Sequence, residues 1–317
     1  MDGLAPSIAS ALSPASTEAA RLATLFWWMT GGAVLIWLGV IVLAIYCGRG
    51  RGDAAETDIQ RRNQWLIVGG GVVLPTLVLA VLLGYGLAML PPLVARAPDA
   101  RLQIAVTGEQ WWWRVRYQVP DREPIELANE IRLPVGERVQ FHLSSDNVIH
   151  SFWIPSLAGK VDMIPGRITF LSVEPTVPGV YHGVCAEYCG TSHALMHFRV
   201  QVMDRDAFER WVEQQATPAF DVQGPEANRG KDLFLANGCS ACHTVRGTPA
   251  SGTIGPDLTH VGSRLSLAAG ILPNDGNALI EWIGRAGSIK PDSHMPSFGM
   301  LPADDVRSMA AYLEALQ

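Results

Sequence analysis

Two long stretches without a charge dominate the first third of the chain. Residues 22–47 read LATLFWWMTGGAVLIWLGVIVLAIYC, and residues 65–95 are equally free of charged side chains. A membrane-spanning helix needs about 20 consecutive apolar residues, more than a buried core helix usually carries. The pattern therefore predicts a transmembrane hairpin, with helices at about 22–47 and 65–90. Trp27, Trp28 and Trp65 suit the interfacial belt. The intervening loop carries Arg49, Arg51, Arg61 and Arg62, which favours its placement in the cytoplasm and puts both termini outside. Residues 1–21 lack the basic start and short apolar core of a signal peptide.

After Pro91 and Pro92 the pattern changes. LQIAVTG, RVQFHLS, ITFLSVEP and HFRVQVM alternate or cluster β-branched and aromatic residues at strand length, with turn residues between them. Short strands at this spacing predict an antiparallel sandwich or barrel. DRDAFERWVEQQ reads as a trailing helix and ATPAFDVQGPEA as a polar linker. Helical patterns then run to the end, the last opening at Pro302 with Asp304 and Asp305 at its positive pole. The expected architecture is multidomain: a two-helix transmembrane hairpin within 1–95, an all-β sandwich at 96–215 with its trailing helix, a linker at 216–227, and a small all-α domain at 228–317.

Composition sharpens this. Charged residues make up 17% and apolar ones 48% of the 317 residues. Soluble chains carry about 25% charged residues, so a partly membrane-embedded chain is indicated. The net charge of −6 offers no basic patch for nucleic acid. Lysine occurs at 160, 231 and 290 alone, so any basic docking surface would have to be built from arginine.

The five cysteines are distributed unevenly. Cys47 stands alone at the end of the first apolar stretch and reads as a free thiol. Cys239-Ser240-Ala241-Cys242-His243 is a CxxCH, the signature of covalent haem c attachment, with His243 as axial ligand. A thioredoxin-like pair would want a βαβ context that the pattern lacks, and a zinc site would want more ligands nearby. Met295, in SHMPSFG, is the candidate second axial ligand, and a Met/His pair raises the haem potential. Met300, Met309, His294 and His260 compete with it; Met309 reads as core.

The other pair lies in CAEYCGTSHALMHF, where Cys185, Cys189, His193 and Met196 fall within twelve positions and His150 lies upstream. A disulfide would leave the imidazole and thioether unexplained, and zinc would ignore Met196. Thiolate, thioether and imidazole together suit copper. One thiolate more than a mononuclear blue-copper site needs suggests two coppers bridged by both thiolates, each with a histidine, completed by Met196 and a backbone carbonyl. His142, His182 and His197 read as strand or surface histidines.

These residues carry resemblances. GKDLF before the CxxCH, Gly255-Pro256-Asp257-Leu258 after it and the Met295-Pro296 pair resemble class I cytochrome c. That likeness implies a hydrogen bond from His243 to the Pro256 carbonyl. HSFWIPSLAGK, DMIPGR and CAEYCGTSHALM resemble the cupredoxin-like CuA domain of subunit II of haem-copper cytochrome c oxidases. With the hairpin and the fused haem domain, nearly the whole chain is similar to subunit II of a caa-type oxidase. The resemblance implies that Cys185 and Cys189 bridge the coppers, with His150, His193, Met196 and the Glu187 carbonyl as terminal ligands. It also implies that the Glu187 side chain reaches a magnesium shared with subunit I, and that Trp111, in the WWW run, is the electron-entry residue.

By the same likeness the chain passes electrons from haem c to CuA and on to haem in subunit I. Oxygen is reduced there to water and protons are pumped. Implied partners are the bilayer, subunits I and III, and a quinol-cytochrome c reductase or carrier cytochrome as donor. The expected location is a bacterial cell membrane, with the redox domains on the outer, periplasmic side. A flexible tether would hold the haem domain near CuA at an effective concentration of about a millimolar. Rival readings are a CuA-bearing subunit of a nitric oxide reductase, a quinol oxidase subunit, which would lack these copper ligands, and a copper chaperone, which has no use for covalent haem. Three departures from the family stand out. Asn147 replaces an aspartate three residues before the first histidine, beside Asp146. His197 follows the ligand methionine in place of a proline. Arg62-Asn63-Gln64-Trp65 lacks the glutamate that precedes the family's second helix, and neither Glu56 nor Asp58 is assigned a proton role.

Overall fold

The computed structural model describes residues 10–49, 56–94, 96–118 and 123–317. Arg51 and the first nine residues lie outside that set. The chain divides into two units, one of residues 21–95 and one of 1–20 with 96–317.

The first apolar stretch lies in α1 (Thr17–Gly48), which starts five residues before the expected span. The second is continuous helix from Glu56 to Val94: α2 (Glu56–Trp65), a π-helical segment (Leu66–Val73) and α3 (Leu74–Val94). The wider π turn falls at Gly69-Gly70-Gly71, residues poorly suited to regular α-helix. Both helices are long and apolar enough to cross a membrane, and none of their apolar windows is buried in protein.

The β region is two five-stranded sheets. One has the order β3-β2-β1-β5-β8, from β1 (Leu102–Glu109), β2 (Trp112–Gln118), β3 (Ile125–Ala128), β5 (Val139–Ser145) and β8 (Thr169–Val173). The other is β4-β10-β9-β6-β7, from β4 (Glu130–Pro134), β6 (His150–Trp153), β7 (Val161–Met163), β9 (Gly179–Cys185) and β10 (His197–Met203). The sandwich is mixed, not purely antiparallel as expected, because β1 pairs parallel with β5 and β10 parallel with β4. Strict alternation explains why these segments are strands: β1 and β10 bury every second residue. Between the sheets lie Trp113, Tyr117, Phe141, Phe152 and Phe198, all nearly inaccessible. Phe198 stacks on Phe152 at 4.8 Å and meets Trp113 edge-on at 5.1 Å. These rings form the floor beneath the cysteine loop, whose Cys185, Cys189 and Met196 belong to the same core.

The trailing helix α4 (Arg205–Ala216) packs Trp211 against Tyr117 at 5.3 Å. The helical domain follows as α5 (Pro225–Ala236), α6 (Gly276–Ile289) and α7 (Ala303–Glu314). α5 crosses α7 at Gly230, where a Cβ would come 1.9 Å from the Ser308 carbonyl oxygen, so only glycine permits the approach. The segment between α4 and α5 is tied down. Ala219 N–H donates to the Arg246 carbonyl at 2.9 Å, Val222 is buried, and the Thr217 carbonyl lies 3.0 Å from His260 Nε2. It is a packed strap, unlike the flexible tether expected.

Candidate metal centres

The cysteine loop starts where β9 ends and stops where β10 begins. Cys185 N–H donates to the Met196 carbonyl at 3.0 Å, closing the loop at its neck. Within it, His193 N–H bonds the Gly190 carbonyl at 3.1 Å and Met196 N–H bonds the His193 carbonyl at 3.1 Å. His150, the first residue of β6, enters from the neighbouring strand and is completely buried.

The donor atoms converge. Cys185 Sγ lies 3.9 Å from Cys189 Sγ, 3.8 Å from His150 Nδ1 and 3.2 Å from the Glu187 carbonyl oxygen. Cys189 Sγ lies 3.5 Å from His193 Nδ1 and 3.8 Å from Met196 Sδ. A disulfide is about 2.05 Å long, so this pair is two thiols. Each sulfur thus has its own imidazole, and the carbonyl and thioether fall on opposite sulfurs. Contact with the Cys189 thiol is the largest influence holding Cys185 well below the usual thiol range, and the same contact pushes Cys189 up. The loop therefore favours a thiolate at Cys185, the form that binds metal. A donor set of two thiols, two imidazoles, a thioether and a carbonyl, arranged as two halves, fits a pair of soft metal ions.

Asn147 is more than a missing charge. Its Oδ1 lies 3.2 Å from His150 Nε2, placing the Nε2 proton there and leaving Nδ1 for the sulfur side. Such an outer partner fixes the orientation of a ligand imidazole. Trp111 is 6% exposed, and its Nε1 donates to the Cys189 carbonyl at 3.0 Å, joined by Gln110 Nε2 at 2.7 Å. It touches the cysteine loop directly.

His142 packs against Phe170 at 5.2 Å, on β5. His182 and His197 pair with each other across β9 and β10, with ring nitrogens 3.1 Å apart. Arg199 Nη1 donates to His182 Nδ1 at 2.8 Å, so the His182 proton is on Nε2. Burial, with Arg199 beside it, pushes His182 down to about 4.

The CxxCH lies on a tight turn after α5. His243 N–H bonds the Cys239 carbonyl at 3.0 Å, and His243 Nδ1 donates to the Pro256 carbonyl at 2.8 Å, leaving Nε2 unprotonated. A Cβ on Gly255 would lie 2.6 Å from the His243 ring, so glycine lets this loop close over the imidazole. Arg264 donates to the Asp257 carbonyl, while its buried Nε has no partner. A buried guanidinium N–H is what the carboxylate of a haem propionate would satisfy. Two thiols, an oriented imidazole and that orphaned donor fit a covalently held haem. Met295 packs partly buried at the edge of the helical domain's core. Met300 is 77% exposed, Met309 is buried within α7, and both His260 nitrogens face carbonyls.

Sequence reasoning missed Lys290. It is 4% exposed, and its Nζ donates to the Leu195 carbonyl at 3.0 Å and the Ala268 carbonyl at 3.3 Å. Burial lowers it to about 7, opposed by Cys189. No sequence signal marks it, because its burial arises where the two domains meet.

Comparison with known proteins agrees with these two centres. A family model described as cytochrome c oxidase subunit II, periplasmic domain, matches residues 119–203, and one described as cytochrome c matches residues 227–317. A cytochrome c oxidase subunit 2 from Alkalihalophilus pseudofirmus is 37% identical over 219 residues, covering 69% of this chain and 62% of the relative. That of Bacillus subtilis is 31% identical, covering 70% and 64%. The chain thus spans somewhat under two thirds of these relatives' lengths. The solved periplasmic domain of cytochrome oxidase subunit II from Bradyrhizobium japonicum is 32% identical, with 37% of this chain and 95% of that one covered and a TM-score of 0.35. With a subunit II domain followed by a cytochrome c domain, the chain belongs to the cytochrome c oxidase subunit II family in its haem-fused form.

Proposed function

We propose that this chain is the electron-entry subunit of a caa-type terminal respiratory oxidase. Electrons arrive at the haem domain from a quinol-cytochrome c reductase or carrier cytochrome. They leave through the copper domain to haem in subunit I, where oxygen is reduced to water and protons are pumped. When bound, the copper pair and the haem each supply a one-electron centre. The convergence of Cys185, Cys189, His150, His193 and Met196 in a chain that also carries a CxxCH is the observation that supports this reading.

The residues divide the work. Cys185 and Cys189 would hold the copper pair, together with His150, His193, Met196 and the Glu187 carbonyl. The buried rings of Phe198, Phe152 and Trp113 form a stiff floor. A rigid, dry donor set lets a metal centre change charge without its ligands moving. Trp111, bonded to the Cys189 carbonyl, would be the electron-entry residue. Cys239 and Cys242 would hold the haem covalently, His243 and Met295 would ligate its iron, and the unpaired Arg264 Nε would receive a propionate. The Glu187 carboxylate, an oxygen donor of the kind magnesium takes, would reach a magnesium shared with subunit I. The hairpin anchors the chain beside subunits I and III, with the redox domains on the periplasmic side.

The test is direct. Purified, copper-supplemented protein should show c-type haem bands together with a near-infrared copper–thiolate absorption. A folded sample that takes up no copper refutes the reading. The co-purified complex should consume oxygen; consumption of nitric oxide in its place would assign the chain to a reductase, a reading its relatives do not favour.

A further inference from the structure

The haem domain is seated on the copper domain through polar contacts to backbone atoms. Arg114 Nη2 donates to the Thr253 carbonyl at 3.0 Å, and Glu130 Oε2 accepts from Leu265 N–H at 2.6 Å. His197 N–H donates to the Ala269 carbonyl at 3.1 Å. At one place this contact joins the two ligand-bearing loops themselves. Thr191 Oγ1 donates to Asp292 Oδ2 at 2.6 Å, Ser192 Oγ donates to the Pro291 carbonyl at 2.6 Å, and Lys290 Nζ donates to the Leu195 carbonyl. Thr191, Ser192 and Leu195 lie between Cys189 and Met196. Lys290, Pro291 and Asp292 lie three to five residues before Met295.

We propose that Lys290 is a positioning residue for electron transfer, clamping the haem-ligand loop to the copper-ligand loop and so fixing the separation of the two centres. The inference rests on the ligand assignments proposed above.

The chemistry of the site favours this over simple filling of space. Lysine is almost never fully buried without partners, because taking an ammonium out of water is costly. Methionine or leucine would fill the same channel without that cost. Lys290 itself caps α6, its N–H continuing the helical ladder to Ala286 at 2.8 Å, which fixes the base of the side chain. Its two carbonyl acceptors come from different domains, Leu195 from the copper loop and Ala268 from the haem domain. Ordinary core packing would need neither donor. A packed lysine stem ending in three N–H donors can join two backbones at one point. Electron transfer falls off steeply with the separation of the two centres, so fixing that separation fixes the rate.

The experiment uses the detergent-solubilised full chain loaded with haem and copper. Lys290→Met keeps the apolar stem and removes the donors and the charge. Light-triggered reduction of the haem, followed at the near-infrared copper band, reads the transfer rate. The variant should slow transfer severalfold. It should also lower the copper potential, because a cation that favours the reduced form is gone. Lys290→Arg, which retains charge and donors, should recover most of the rate. A Lys290→Met protein with both sets of bands and wild-type rate and potential overturns the proposal, while absence of the bands in the wild type overturns the ligand assignments instead. If methionine prevents assembly, Ser192→Ala carries the test. It removes one rung of the clamp and should slow transfer less, with both potentials unchanged; a wild-type rate there overturns the clamp.

Discussion

Gly108 gives the sharpest test of the copper site, because it is the wall behind a ligand. A Cβ built on Gly108 lies 2.7 Å from His150 Cδ2 and 2.9 Å from Cγ. Neither partner can retreat. Gly108 is held between two strands, opposite Trp113 on β2 and Ser145 on β5. His150 is completely buried, with Asn147 on one ring nitrogen and Cys185 on the other. Gly108→Ala must therefore push the imidazole off its axis. Overpacking at a rigid position costs about 1–3 kcal/mol. If the copper-bound form bears that strain, affinity falls about 5- to 150-fold, since about 1.4 kcal/mol is a factor of ten. The assay is copper titration of the full chain by the near-infrared band, alongside thermal melting. Gly230→Ala is the control: its Cβ would strike the Ser308 carbonyl, so it should destabilise the haem domain and leave copper affinity unchanged. A Gly108→Ala protein with wild-type affinity, band position and melting temperature would show that His150 is not held where the argument requires.

Met295→Ala should keep haem attached through Cys239 and Cys242 but lower its potential, read by redox titration; an unchanged potential points to another axial ligand. Transfer from haem to copper within the chain should be nearly independent of ionic strength, because most interdomain contacts end on neutral carbonyls and are at least partly buried. A steep fall in rate with added salt would contradict that. His182, depressed in the folded state, binds its proton first in the unfolded chain, so its contribution to stability is present above about pH 6.5 and lost as pH falls toward about 4. Melting temperatures at neutral and mildly acid pH should converge in His182→Gln relative to wild type; an identical acid slope would place the sensitivity elsewhere.

Much of this was readable from the chain because its strongest signals are local. The CxxCH, the charge-free spans and the loop from Cys185 to Met196 each declare themselves within a few residues. Non-local features did not. Parallel pairing of β1 with β5 leaves no trace in alternation, which is the same for either strand direction. Asn147 read as a lost acidic charge, yet its amide oxygen has a positional role that appears only when β6 brings His150 back beside it. ATPAFDVQGPEA has the composition of a free linker, but Arg246 alters its fate. Its guanidinium reaches the Gln215 and Ala216 carbonyls at the end of α4, and its own carbonyl takes the Ala219 N–H. Lys290 was illegible because a buried lysine has no sequence signature; its environment is made by a second domain.

The seating of Lys290–Asp292 on Thr191–Leu195 also bears on how the protein is made. Cys189 is nearly inaccessible, and one flank of its loop is roofed by the haem domain, while Tyr188 at the tip stands 76% exposed. A delivery factor that hands over metal must either reach in past Tyr188 or arrive before the roof closes. In the closed molecule, access to Cys189 is therefore confined to the flank of the loop that the haem domain leaves open.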